Sequence, residues 1–376
     1  MSGVLFAGGG TGGHLYPALA IADALRAERP GVAVHFVGAR RGVEAHVLPR
    51  RGEPYTLLPF EPIRRDRVWR NWRLAPAMTR SFLGLARLFA TFRPRLVVGT
   101  GGYASGPACM YARLRGVPVA LQEQNSWPGL VTRMASRWAR QVHLGFPEAA
   151  AHLRPGRRTR VLSLGNPIRP PDPALERADC RSAFGLAPDA TVLLVVGGSQ
   201  GARALNERLI DALRQVQEGR LAARPDRLVI LWATGPSHFE SIGARLARLD
   251  VGGWVHATGY IEDMPRALCA ADLALSRAGA MATAEMLAWG VPMVLVPLPT
   301  AAADHQTHNA RALEEAGVAV CLVEASLDPA GLWREVVSLA GDASRRATMA
   351  VRAHERAKPD AARAIARELL GLIEAR

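Results

Sequence analysis

Apolar positions along this chain follow two alternating rhythms. Short unbroken runs read as strands buried on both faces, and stripes at helical spacing read as amphipathic helices. In "VLFAGGGTGGHLYPALAIADALRAERPGVAVHFVG" a strand leads through a glycine loop into a helix and then a second strand. Leu15, Ala18, Leu19, Ala22 and Leu25 keep the helical spacing, and Pro30-Gly31 ends the helix. This is a βαβ unit with a parallel sheet. The pattern returns in "RLVVGTGGYASGPACMYARLRGVPVALQEQN" and opens a second cycle at "TVLLVVGGSQGARALNERLIDAL". Further α/β units follow at "RLVILWATG", "DLALSRAGAMATAEMLAWGVPMVLVPLP" and "GVAVCLVE". Between the cycles, the proline-rich "LGNPIRPPDPALERADC" suits neither a sheet nor a helix interior. The expected architecture is α/β: two Rossmann-like domains whose parallel sheets face a central cleft. The domains are expected at residues 1–164 and 165–342, with C-terminal helices over 343–376 packing back on the first domain.

Composition sharpens this. A chain of 376 residues is too long for one core, and a 49% hydrophobic content is ample for two. The four cysteines, Cys109, Cys180, Cys269 and Cys321, lie far apart without metal-type spacing and read as small buried hydrophobes. No run of about 20 apolar residues exists, and the first residues lack a basic, then apolar, leader pattern, so a cytoplasmic location is expected. The formal charge of +14 favours a nucleic acid, an anionic lipid or a phosphorylated substrate as partner.

Both glycine loops sit between a buried strand and a helix start, where unpaired N–H groups and the helix dipole favour an anion. The first loop also fits the dinucleotide pattern through Gly8, Gly10 and Gly13. That reading wants an acid at the end of the second strand, which instead runs into Ala39, Arg40 and Arg41. An NADP enzyme could use such arginines, so an oxidoreductase stays open, although it leaves the second glycine loop unexplained.

Several motifs then stand in order: "GGGTGGH" at Gly8–His14, "EQN" at Glu123–Asn125, "GNPIR" at Gly165–Arg169, "GGSQGA" at Gly197–Ala202, "SRAGA" followed by Glu285, and "DHQTHNA" at Asp304–Ala310. With these the chain resembles, over nearly its whole length, the MurG family of N-acetylglucosaminyl transferases. The resemblance implies the GT-B fold and transfer of N-acetylglucosamine from UDP-GlcNAc to the 4-hydroxyl of the muramyl sugar in lipid I, with inversion, giving lipid II. Another UDP-sugar enzyme of this fold, such as an epimerase, is the nearer alternative.

Inverting displacement needs a base for the incoming hydroxyl and stabilisation of the departing diphosphate. No D-x-D run is present, and helix N-termini could do the second task; the expectation is no metal and no other cofactor. His14, at a helix start where the dipole disfavours the imidazolium, could take the acceptor's proton; it could equally only order the loop. By resemblance, the UDP-GlcNAc site comprises Thr11, Gly12, Gly13, Asn125, Arg169, Ser199, Ile261, Gly279, Ala280, Met281, Ala282, Thr283, Ala284, Glu285, His305 and Gln306. Glu285, read at a helix start, would bind the ribose diol, Ser199 the diphosphate, the Ile261 backbone the uracil edge, and Gln306 sugar hydroxyls. Two positions depart from the family: Ala282 and Thr132 stand where threonine and asparagine are usual.

Finally, "PIRRDRVWRNWRLAPAMTRSFLGLARLFATFRPR" interleaves arginines with apolar and aromatic residues. Trp69, Arg70, Trp72, Arg73 and Phe82 are the expected contacts with an anionic membrane surface, suited to a lipid-linked acceptor. Peripheral attachment to the cytoplasmic face of the membrane is expected, and nucleic acid is not, since no recognised binding motif accompanies the stretch.

Overall fold

The computed structural model describes residues 3–61, 74–198 and 200–375. They divide into two compact units, Met1–Arg169 with Lys358–Arg376, and Pro170–Ala357. The first division thus falls after Arg169, within the proline-rich stretch, rather than after residue 164.

The first unit runs β1 (Gly3–Gly8), α1 (Gly12–Glu28), β2 (Ala33–Ala39), α2 (Glu44–Arg50), β3 (Tyr55–Leu58), α3 (Leu74–Phe92), β4 (Leu96–Gly101), α4 (Ser105–Leu114), β5 (Val119–Glu123), α5 (Leu130–Ala135), β6 (Gln141–Leu144) and β7 (Arg160–Leu162). The second runs α6 (Arg177–Ala183), β8 (Thr191–Val196), α7 (Arg203–Gln217), β9 (Leu228–Ala233), α8 (Phe239–Leu246), β10 (Val255–Thr258), α9 (Met264–Ala270), β11 (Leu273–Ser276), α10 (Ala280–Ala288), β12 (Met293–Leu295), α11 (His305–Glu315), β13 (Ala319–Cys321), α12 (Pro329–Gly341) and α13 (Ala343–Arg356). The chain then returns to the first unit as α14 (Ala361–Glu374).

Among the described residues the sheets have 7 and 6 strands, in the orders β3-β2-β1-β4-β5-β6-β7 and β10-β9-β8-β11-β12-β13, with every recorded pairing parallel. Strand order reverses between β1 and β4 in one sheet and between β8 and β11 in the other. At such switch points the loops leaving adjacent strands part and open a crevice for a ligand. The glycine-rich loops leave these strands.

Helices cover both faces, as an all-parallel sheet requires. On one face of the first sheet, Ile365, Leu369 and Ile373 of α14 pack with Leu15, Leu19 and Leu25 of α1 and with Val4 and Phe6 of β1. Of the helices over residues 343–376, α14 lies with the first unit, which takes Lys358–Arg376, while α13 stays in the second, where Met349 enters the core. Among the described residues no helix is long and apolar enough to cross a membrane.

Candidate active site

In the first unit, the turns after β1 and β4 interlock so tightly that only glycine fits. A Cβ on Gly102 would meet the Gly9 carbonyl oxygen at 2.1 Å, and one on Gly101 would meet His14 Nδ1 at 2.6 Å. His14 is held here at both ends: the Thr100 hydroxyl donates to its carbonyl at 2.8 Å, while Nδ1 lies 3.1 Å from the Thr100 carbonyl oxygen and 3.2 Å from Gln124 Oε1. The Gln124 amide is oriented by its own nitrogen, which donates to the carbonyls of Thr100 (2.9 Å) and Gln122 (3.2 Å). Both neighbours of Nδ1 are therefore acceptors, which places the ring proton on Nδ1 and leaves Nε2 with its lone pair in the neutral ring.

The network continues inward. Asn166, in the "GNP" motif, donates to the Gln124 carbonyl at 3.0 Å and accepts from Gln122 Nε2 at 3.3 Å. Nearby, the Glu123 carboxylate accepts from the Asn125 and Gly129 amides at 3.2 and 2.9 Å, fixing the turn that carries Asn125.

The first glycine loop differs from its expected role as an open anion cradle. The Gly10 amide is already engaged, at 2.9 and 3.1 Å, by the carboxylate of fully buried Glu44. A dinucleotide pyrophosphate seated there would have to displace an internal carboxylate, which removes the main support for the oxidoreductase reading. What stays open is the start of α1: Thr11 stands at its N-cap without a side-chain cap, and the first turn carries no acid. Thr11 and Gly13 are exposed and Gly12 is partly so.

In the second unit, α7 and α10 begin in the same way at the switch point, with neither a side-chain cap nor an acid in the first turn. Other helices vary: α4, α5, α11 and α14 also start without a side-chain cap or a first-turn acid, while α9, α12 and α13 are capped by Asp263, Asp328 and Asp342. An uncapped N-terminus leaves amide groups to be satisfied from outside the helix.

Glu285 lies one turn further into α10 than its reading as a helix-start acid implied, since the first turn has no acid. Burial, with no charged neighbour contributing, pushes its carboxyl up to about 7. Thr283 does not take over from the threonine that Ala282 replaces: its buried hydroxyl donates back to the Gly279 and Ala280 carbonyls at 3.1 and 3.2 Å. Met281, Ala282 and Ala284 are partly exposed along the same helix.

The loop before α11 is held in a conformation that side chains rarely adopt, with Ala303 at φ 53° and Asp304 at φ 54°. It delivers His305, whose Nδ1 donates to the Ala302 carbonyl at 2.8 Å, and Gln306, whose carbonyl oxygen accepts from the Leu298 amide at 3.0 Å. The Ile261 side chain is buried, so only its backbone could meet a ligand. Arg169 is exposed at the last residue before the second unit. Ser199 lies outside the described residues.

Residues 4–144 match the glycosyltransferase family 28 N-terminal domain, and residues 192–365 match its C-terminal domain. A protein of Moorella thermoacetica is 41% identical over 99% of both chains, and one of Salinibacter ruber is 41% identical over 99% of this chain and 97% of its own. Both are named UDP-N-acetylglucosamine–N-acetylmuramyl-(pentapeptide) pyrophosphoryl-undecaprenol N-acetylglucosamine transferase. The chain belongs to glycosyltransferase family 28. The solved structure of Acinetobacter baumannii MurG is similar at a TM-score of 0.77, with 30% identity over 99% of this chain and 100% of that one.

In this family 28 chain, residues that motif reading passed over hold His14 and the first glycine loop in place. Thr100, Gln124 and Asn166 stood inside or beside quoted motifs, but nothing in the linear pattern tied Thr100 and Gln124 to His14 or Asn166 to Gln124. Glu44 lay in no motif. Of the expected membrane contacts, Trp69, Arg70, Trp72 and Arg73 lie outside the described residues. Phe82 is only partly exposed and packs edge-on to Tyr111 at 5.8 Å, while Met78 and Leu83 of the same helix, at 46% and 59% exposure, face outward. Among the described residues no group of three or more His, Cys, Asp and Glu side chains is placed to hold a metal ion.

Proposed function

We infer that this chain transfers N-acetylglucosamine from UDP-GlcNAc to the 4-hydroxyl of the muramyl sugar in undecaprenyl-pyrophosphoryl-MurNAc-pentapeptide, releasing UDP in peptidoglycan synthesis. One observation carries this: relatives bearing that transferase's name match the chain end to end at 41% identity. In the proposed chemistry, His14 Nε2 takes the proton of the acceptor hydroxyl as its oxygen attacks the anomeric carbon. The bond to the diphosphate breaks on the opposite face, and UDP leaves with the electron pair. The α7 and α10 N-termini stabilise that charge through amides and dipoles, so this reading requires no metal. Glu285 accepts hydrogen bonds from the ribose diol.

The lipid-linked acceptor brings the first unit to the cytoplasmic face of the membrane. Exposed Met78, Leu83 and Leu114 on α3 and α4, helices that also carry the exposed arginines Arg80, Arg87 and Arg113, support that attachment. The decisive experiment supplies labelled UDP-GlcNAc with a lipid I analogue and follows both UDP and label. Equal UDP release and label transfer is expected; UDP release without labelled lipid overturns the assignment.

A further inference from the structure

A fully buried carboxylate is uncommon unless its charge is matched, and among the described residues Glu44 is matched by backbone amides alone. The Gly10 amide donates to both of its oxygens, at 3.1 and 2.9 Å, and the Ala39 amide donates to Oε1 at 2.8 Å. The surrounding chain is cut away to admit it. A Cβ on Gly9, Gly38 or Gly42 would come within 2.1, 2.6 or 2.1 Å of the Glu44 side chain. On its other side, Gly9 abuts Gly102 as described, so the first glycine loop is gripped between this carboxylate and the second glycine turn.

We propose that Glu44 is a positioning residue, a built-in anion that holds the Gly9–Gly10 turn so that His14, four residues after Gly10, is presented to the acceptor. The idea rests on the reading of His14 as the base. It also explains why a loop shaped for an anion need not bind the substrate's phosphate at Gly10: the chain supplies the anion itself, leaving the uncapped start of α1 for the substrate.

Glu44→Gln preserves the side chain's size but turns an amide nitrogen towards N–H donors. The expected result is a kcat about 10- to 100-fold lower, the scale of a small misplacement of a reacting group, with KM for UDP-GlcNAc within about twofold. A residue serving packing alone would lower Tm and the folded yield while kcat per folded site held within about threefold; that outcome overturns the proposal. If the variant does not fold, exchange of the Gly10 amide in the wild-type protein decides. Slow exchange is expected, and exchange as fast as an open loop refutes the clamp. Exchange does not depend on turnover. Wild-type protein with a protected Gly10 amide and no transfer would sink the proposed function and leave the clamp standing.

Discussion

The Thr100 carbonyl oxygen stands 3.1 Å from His14 Nδ1, joining the end of β4 to the first turn of α1 across 86 positions. A carbonyl can only accept, so this contact selects the tautomer and turns Nε2 into the available base. The two roles open to His14 are separable on that basis. His14→Asn can keep a donor near Thr100 and so preserve loop order, but it has no base. We expect His14→Ala and His14→Asn alike to lose about 10²- to 10⁴-fold in kcat, with KM for UDP-GlcNAc nearly unchanged. An asparagine variant turning over close to wild type would leave His14 as a loop-ordering residue only.

In its proposed role Glu285 accepts both hydroxyls of a ribose diol as a carboxylate, yet burial pushes its carboxyl up to about 7. Affinity for UDP-GlcNAc, whose diphosphate does not titrate in this range, should therefore weaken as pH falls below about 7, with proton release on binding at lower pH. Titration calorimetry in buffers of different ionisation enthalpy measures both quantities. Glu285→Gln should bind the donor at least about tenfold more weakly and lose the pH dependence, since a neutral amide accepts through one oxygen only. PH-independent donor binding by the wild type would rule out this role.

The apolar rhythm made the scaffold legible for a physical reason. Leu15, Ala18, Leu19, Ala22 and Leu25 are all buried, so the stripe in the sequence is the stripe in the core. Loops at the switch points were legible too, because glycine density signals backbone crowding. What the linear pattern hid were contacts made across the sheet. Gln124 reaches His14 from 110 residues away, and only the order of β1, β4 and β5 makes them neighbours. Glu44 was hidden more deeply: a charged residue just after Arg40 and Arg41 reads as solvated, and its burial depends on glycines in separate segments. The depth of Glu285 within α10 depends on a helix start that residue identities locate only to within a turn.

On α3, Met78, Arg80 and Leu83 are all exposed. Sedimentation with vesicles containing anionic lipid should recover the wild type in the pellet at low salt and release part of it at high salt. Met78→Asp with Leu83→Asp should reduce pelleting several-fold while turnover of a short-chain, water-soluble acceptor is maintained. Equal pelleting of wild type and double variant would remove these α3 residues from membrane contact.

Acidification should pull the stabilities of the two units in opposite directions. His143 is buried in the first unit, near Gln141 Oε1 at 3.0 Å, and burial lowers it from its ordinary 6.5 to about 4. Between those values the unfolded chain binds a proton that the folded unit refuses, so stability falls as pH drops through that window, by at most about 3 kcal/mol. Glu285 works the other way. Raised from 4.5 to about 7, it makes the folded second unit hold the extra proton between those values, and stability rises by a similar amount as pH falls. Calorimetric scans of the ligand-free protein at pH 7 and pH 5 should therefore show the first unit's transition moving down relative to the second. His143→Gln, which can still donate to Gln141, should reduce the fall, and Glu285→Gln should remove the rise. Transitions that shift together in the wild type and in both variants would show that neither group is titrating as its burial requires.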